Sequence, residues 1–163
     1  MNMKSLTFAG GCFWGVQAFA RRLPGVFDTT CGYANGTLRD PTYEDVCTDR
    51  TGHAEAVRIL YDASVISLST LAEELFTILH PTCQSPSQYR SGFYYDTDED
   101  GRELMQVWQA HAAAAEEPLT VECAPLTAFY QAEDYHQDYL EHHPDAFCHV
   151  DLSRFGLQKN SKP

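Results

Sequence analysis

Extended and helical patterns alternate along these 163 residues, and that alternation predicts an α/β (α+β) two-layer sandwich with a mixed sheet. Two further observations support it. Hydrophobic residues make up 44% of the chain and aromatics 12%, enough to drive folding around a core. The length suits one domain rather than two. A single domain is expected over 1–150, with an irregular tail over 144–163.

Leu6-Thr7-Phe8 reads as a short strand ending at Gly10-Gly11. Val16, Phe19, Ala20 and Leu23 then recur at helical spacing until Pro24-Gly25 stops the run. Val26 to Tyr33 is extended, and Asn35-Gly36 is a turn signal. Asp40-Pro41-Thr42 opens a short helical turn reaching Val46. In the strand Gly52 to Tyr61, a period of two puts His53, Glu55, Val57, Ile59 and Tyr61 on one face. Glu55 therefore points toward the core, where a carboxylate is costly unless it has a task.

Ser67 caps a helix whose Leu68, Leu71, Leu75 and Ile78 form an apolar stripe. A polar loop from His80 to Gln88 leads to a strand around Gly92 to Tyr95. Thr97 begins another helix, with Asp98, Glu99 and Asp100 at the end the helix dipole prefers for acids. Leu104, Val107, Trp108 and His111 mark its inner face. A last strand is expected over Leu119 to Cys123 and a last short helix over Asp134 to His142.

The segment Gly10-Gly11-Cys12-Phe13-Trp14-Gly15 suits a reactive sulfur. A thiol at a helix N-terminus faces unpaired N–H groups and the positive end of the dipole, and both favour thiolate. The glycines permit a sharp turn and keep side-chain bulk away from whatever approaches. Phe13 and Trp14 add flat apolar surface.

Eleven Lys and Arg against 23 Asp and Glu give a net charge of −12, which argues against nucleic acid or an anionic membrane as partners. The N-terminus has no apolar stretch of the secretory kind, so a cytoplasmic protein is expected. The six cysteines stand at 12, 31, 47, 83, 123 and 148, without a Cys-x-x-Cys pair, so no metal site is expected. Reduced thiols with one or two redox-active members fit this pattern better than three structural disulfides.

Several segments occur in an order that resembles one family. They are Gly11-Cys12-Phe13-Trp14-Gly15, Gly32-Tyr33, Pro41-Thr42-Tyr43, Thr51 through Val57, Gln88-Tyr89-Arg90-Ser91, Ala132 through Gln137, and Tyr139-Leu140. The set is similar to the class A peptide methionine sulfoxide reductases over about residues 6 to 150. The resemblance implies a ferredoxin-like core and reduction of the S epimer of methionine sulfoxide, free or in proteins. It also implies thioredoxin as external reductant, no bound cofactor, and a chain acting as a monomer.

The resemblance makes Cys12 the nucleophile and Glu55 the proton donor. Desolvation raises a carboxyl pKa, so a half-buried glutamate can hold a proton near neutral pH. Tyr33 and Tyr89 match the family's hydroxyl donors to the sulfoxide oxygen, and Phe13 and Trp14 would hold the ε-methyl. Cys148, in Pro144 through Asp151, resembles the family's resolving cysteine, which condenses with a Cys12 sulfenic acid. His53 is expected to brace its turn, and His136 to be a structural hydrogen-bonder. Cys31, Cys47 and Cys123 are expected to be buried.

One segment departs from the family pattern. In ungapped register Gln84 stands where relatives carry an aspartate and Pro86 where they carry glycine, after a shortened loop. The departure puts the placement of Tyr89 at issue and leaves Cys83 open as a competing partner for Cys12. It also leaves two other readings: a reductase of a different sulfoxide or oxidised acceptor, and a binder of oxidised methionine or redox sensor.

Overall fold

The computed structural model describes residues 1–146. The expected tail beyond that point, Cys148 included, lies outside the described residues. Six strands form one mixed sheet: β1 (Met3–Gly10), β2 (Val26–Ala34), β3 (Ala54–Asp62), β4 (Ser91–Tyr95), β5 (Glu122–Pro125) and β6 (Phe129–Gln131). Their order is β5-β4-β1-β3-β2-β6. All pairings are antiparallel except β4 with β5.

The helices are α1 (Phe13–Ala20), α2 (Tyr43–Cys47), α3 (Leu68–Phe76), α4 (Asp98–Ala114) and α5 (Tyr139–His142). With α1 crossing from β1 to β2 and α3 from β3 to β4, the central strands β4-β1-β3-β2 form the split β-α-β arrangement of ferredoxin-like folds.

The main core lies between one sheet face and the helices. Leu6, Phe8, Val57, Ile59 and Phe93 from the sheet meet Phe13, Val16 and Phe19 of α1, Leu71 and Leu75 of α3, and Leu104 of α4. The other face carries a small cluster built on Ala9, Ala34, Ala54, Ala56 and Tyr94. Along β3 the expected alternation holds: Val57, Ile59 and Tyr61 are buried while Arg58 and Leu60 are exposed.

The caps follow the sequence signals. The Ser67 side chain accepts from the Thr70 N–H, and that of Thr97 from the Asp100 N–H. On α2, the Thr42 hydroxyl accepts from the Asp45 N–H at 3.1 Å while the Asp45 carboxylate accepts from the Thr42 N–H at 3.0 Å. This reciprocal pair closes a helix of only five residues, too short to hold itself together. Thr42→Ala is expected to cost about 1 kcal/mol of stability, read from the denaturant midpoint. An unchanged midpoint would show that α2 is held by its neighbours alone.

Four expectations need correction. The run at 13–20 is buried well beyond the stripe of Val16, Phe19 and Ala20 that its spacing marks: seven of its eight residues are buried, with α5 and the segment before it lying against the helix. The Gln17 carboxamide accepts the Asp138 N–H at 2.7 Å, and Arg21 pairs with Asp138. The single helix expected over Asp134 to His142 is split into a 3₁₀ turn, Asp134–His136, and α5, because Asp138 takes a left-handed conformation (φ 54°). The last strand runs over Glu122–Pro125 rather than 119–123, and β6 follows, unsignalled by its three residues. Of the three cysteines expected to be buried, Cys47 is exposed and Cys123 only half-buried.

Candidate active site

The topology gathers one edge of the sheet. The C-terminal ends of β1 and β2 and the N-terminal ends of β3 and β4 all meet there, since each neighbour runs antiparallel. Gly10 pairs with Ser91, and Tyr33 with Glu55. Cys12 leaves the middle of the sheet as the N-cap residue of α1 and is half-buried. Two glycines make the turn. Gly11 has φ 89°, and a Cβ on Gly10 would sit 2.6 Å from the Phe8 ring. Cys12 lines a cavity of about 280 Å³ together with Gly11, Leu79, Ser85 and Tyr89.

Glu55 is 1% exposed and shares the N-terminus of α1 with Cys12. Its Oε1 accepts the N–H of Phe13, the residue after Cys12, at 3.3 Å, and its Oε2 accepts from the Gln88 side chain at 2.6 Å. Burial pushes the Glu55 carboxyl up to about 7, against the opposing pull of those two hydrogen bonds. The group is thus poised to carry and release a proton near neutrality. The expectation from the period of β3 that Glu55 points toward the core matches this burial.

Tyr33 is fully buried as a residue, and its hydroxyl donates to Glu133 Oε1 at 2.7 Å. The other Glu133 oxygen accepts the Tyr43 N–H at 2.9 Å, so Glu133 fastens α2 to β2. Burial works to raise the Glu133 carboxyl, but the hydrogen bonds from Tyr33 and Tyr43 outweigh it and hold the group below its usual range. Burial, then the bond to Glu133, keeps the Tyr33 hydroxyl protonated. Tyr89 ends the 3₁₀ turn Ser87–Tyr89, its N–H bonded to the Pro86 carbonyl at 2.9 Å. Burial and then the charge of Glu55 raise the Tyr89 hydroxyl, which also feels Cys12 and Cys47. Tyr89 therefore reaches the site despite Gln84 and Pro86 in the preceding loop.

A cluster of aromatic rings follows Cys12 from the start of α1. Trp14 stacks on Tyr139 at 3.7 Å between centroids, and its indole N–H donates to His136 Nδ1 at 3.0 Å. Phe13 lies 5.8 Å from Tyr33 and 5.1 Å from His136, and Tyr43 packs 4.5 Å from His136. Burial holds the His136 imidazole below its usual range, hence neutral, which suits a structural acceptor. His53 braces its turn as expected: Nδ1 accepts from Gly36 N–H at 3.0 Å and Nε2 bonds the Leu38 carbonyl at 2.8 Å.

Cys31 is buried, with Sγ 3.1 Å from the Gln17 carboxamide oxygen, and desolvation pushes its thiol well up. Cys123 is half-buried and Cys83 exposed. Among the described residues no group of three His, Cys, Asp or Glu could hold a metal ion, and no helix is long and apolar enough to cross a membrane. Sequence reasoning assigned no role to Gln88, Glu133 or Tyr139. Each lies in or beside a segment that carried the family resemblance, but none has a periodicity or charge pattern that reveals its partner.

A half-buried thiol and a buried carboxyl meet at one helix N-terminus beside a cluster of aromatic rings, an arrangement that suits thiol-based enzyme chemistry. Comparison with known proteins agrees. Residues 4–162 match the family model described as peptide methionine sulfoxide reductase. The peptide methionine sulfoxide reductase MsrA of Clostridium acetobutylicum is 43% identical over 154 residues, 91% of this chain and 95% of that one. Mxr1 from Saccharomyces cerevisiae in reduced form superposes with a TM-score of 0.85 at 32% identity, over 90% of this chain and 89% of that one. Mxr1 in complex with Trx2 shares the fold at 23% identity and a TM-score of 0.58, over 85% of each chain. The chain belongs to the peptide methionine sulfoxide reductase family, in its class A, and is an oxidoreductase.

Proposed function

We propose that this enzyme reduces methionine-S-sulfoxide, free or in proteins, with Cys12 as nucleophile and Glu55 as acid. The observation that carries the reading is the buried Glu55 carboxyl bonded to the N–H of Phe13, directly beside Cys12. The Cys12 thiolate attacks the sulfoxide sulfur while Glu55 gives its proton to the sulfoxide oxygen. The protonated oxygen then passes from the substrate sulfur to the Cys12 sulfur as the transient bond between the two sulfurs breaks, which releases the thioether and leaves sulfenic acid on Cys12; the substrate sulfur is reduced and the Cys12 sulfur oxidised.

Tyr89 steadies the charge developing on the oxygen, and Tyr33 joins it by turning its hydroxyl from Glu133 to the substrate. Phe13 and Trp14 enclose the ε-methyl, and Tyr139 and His136 hold the indole plane. The Cys148 thiol then condenses with the sulfenic acid, releasing water and forming a Cys12–Cys148 disulfide. Thioredoxin, whose dithiol is oxidised in exchange, restores both thiols. That Mxr1 has been solved with Trx2 supports this choice of reductant. Such recycling suits the reducing cytoplasm.

Disulfide mapping by mass after one equivalent of methionine sulfoxide tests the scheme. Wild type and Cys83→Ser are expected to give the Cys12–Cys148 crosslink, and Cys148→Ser to stop at the sulfenic acid. A crosslink lost only in Cys83→Ser would reject Cys148 as the resolving thiol. Turnover of the R epimer or of other sulfoxides alone would reject the substrate.

A further inference from the structure

The 3₁₀ turn that delivers Tyr89 also delivers a second group, one for which the proposed chemistry has no role so far. Gln88 is 5% exposed, and its side-chain amide meets Glu55 Oε2 at 2.6 Å. The same nitrogen lies 3.5 Å from Cys47 Sγ. Its backbone N–H donates to Asp49 Oδ1 at 2.8 Å. Two residues on, Arg90 Nη1 donates to the Gly52 carbonyl at 2.9 Å. The turn is therefore clamped twice to the segment 49–52, which runs directly into β3 and Glu55. Asp49 holds φ 60°, a left-handed conformation an aspartate tolerates, and this aims its carboxylate at the turn.

A carboxyl group has two oxygens and about four lone-pair directions. Here one oxygen is held from the α1 side by the Phe13 N–H and the other from the opposite side by Gln88. Two donors on two elements leave the carboxyl little freedom to rotate. We propose that Gln88, anchored by Asp49, is a positioning residue that sets the orientation of the Glu55 carboxyl for proton transfer at Cys12. The inference rests on the acid role of Glu55 proposed above.

Several titratable groups face Glu55: Cys12 at the α1 N-cap, Cys31 and Tyr33 on β2, Tyr43 and Cys47 on α2, and Tyr89 beside Gln88. The charge of Glu55 acts on Cys31, Tyr33, Tyr43 and Tyr89, and none of these facing groups is a cation. The proton on Glu55 thus answers mainly to burial and to its two N–H donors. An amide donor favours the ionised carboxylate, so removing it makes the proton harder to release.

The test is single-turnover sulfenic acid formation on the full chain, followed against pH with methionine sulfoxide. Wild type loses rate on the alkaline side as Glu55 ionises. Gln88→Met, similar in size but without the donor, is expected to run about tenfold slower and to move that alkaline limb up by about one pH unit. Asp49→Gly keeps the backbone conformation and removes only the anchor, on a surface loop. It is expected to move rate and limb in the same direction by less. A slower Gln88→Met enzyme whose limb stays in place would overturn the positioning role and leave Gln88 as packing. A wild-type limb that persists in Glu55→Gln would instead remove the acid reading beneath it.

Discussion

Replacing Glu55 by glutamine is expected to slow sulfenic acid formation on Cys12 by about 10²–10⁴-fold. The same change removes the alkaline limb near neutrality, because the group that titrates at about 7 is gone. Glutamine keeps the volume and an oxygen that can accept the Phe13 N–H, so the loss reports the proton rather than collapse of the site. Rapid-quench detection of the sulfenic acid is the measurement. A loss below about tenfold would mean that the proton comes from elsewhere.

This substitution carries a second, opposite consequence. The Glu55 carboxyl sits at about 7 in the fold against an ordinary value of 4.5, so the folded state keeps a proton that the unfolded chain has lost. Stability is therefore fully present below 4.5, falls as pH rises through that window, and stays reduced above about 7. At about 1.4 kcal/mol per pH unit the full reduction is of order 3 kcal/mol. Glutamine, which never ionises, escapes it. Glu55→Gln is expected to be more stable than wild type at about pH 8 and to lose most of that margin at about pH 4. Denaturant midpoints at the two pH values decide it, and a margin independent of pH would contradict the burial cost assigned to Glu55. Activity and stability pull apart at this one residue.

The largest purely structural effect is expected at Phe8. Its ring is wholly buried, packs against Phe93 at 5.0 Å between centroids, and sits on the central strand β1 opposite Val57. Phe8→Ala removes most of a large side chain between two rigid layers, and such changes cost about 3–5 kcal/mol. Small domains hold only about 5–15 kcal/mol in total, so the denaturant midpoint should fall sharply. The slope of the transition should stay the same. A loss below about 1 kcal/mol would mean that the sheet and helix layers close over the cavity. Phe8 is also the ring that a side chain on Gly10 would strike, so the variant tests how the core supports the turn into Cys12.

Much of this was legible in the chain. The alternation along β3 placed Glu55 inward with Val57, Ile59 and Tyr61, all of which are buried; burial alternates over 57–61, while Ala54 and Ala56 are covered on the opposite face as well. The caps at Ser67 and Thr97 were equally local, since each needs only its own turn. The split at Asp138 was not legible, because a non-glycine residue in a left-handed conformation is held by bonds from distant residues. Gln17 and Arg21 supply them from more than a hundred positions away. Strand β6 escaped notice because three residues are too few to show a period. Cys47 is exposed against expectation because burial at the end of a five-residue helix depends on what packs over it.

By itself the sequence determined the family and the paired layers, and it named Cys12 and Glu55 as the proposed thiol and acid, because these rest on residue type and the order of short motifs. Tertiary structure alone decided who holds whom. The Gln88 amide on Glu55, the Tyr33 hydroxyl on Glu133 and the Trp14 indole on His136 each join residues 33 to 122 positions apart. The physical reason is that a hydrogen bond needs about 3 Å and a direction. No one-dimensional pattern contains that, and only the antiparallel meeting of four strand ends at one sheet edge supplies it.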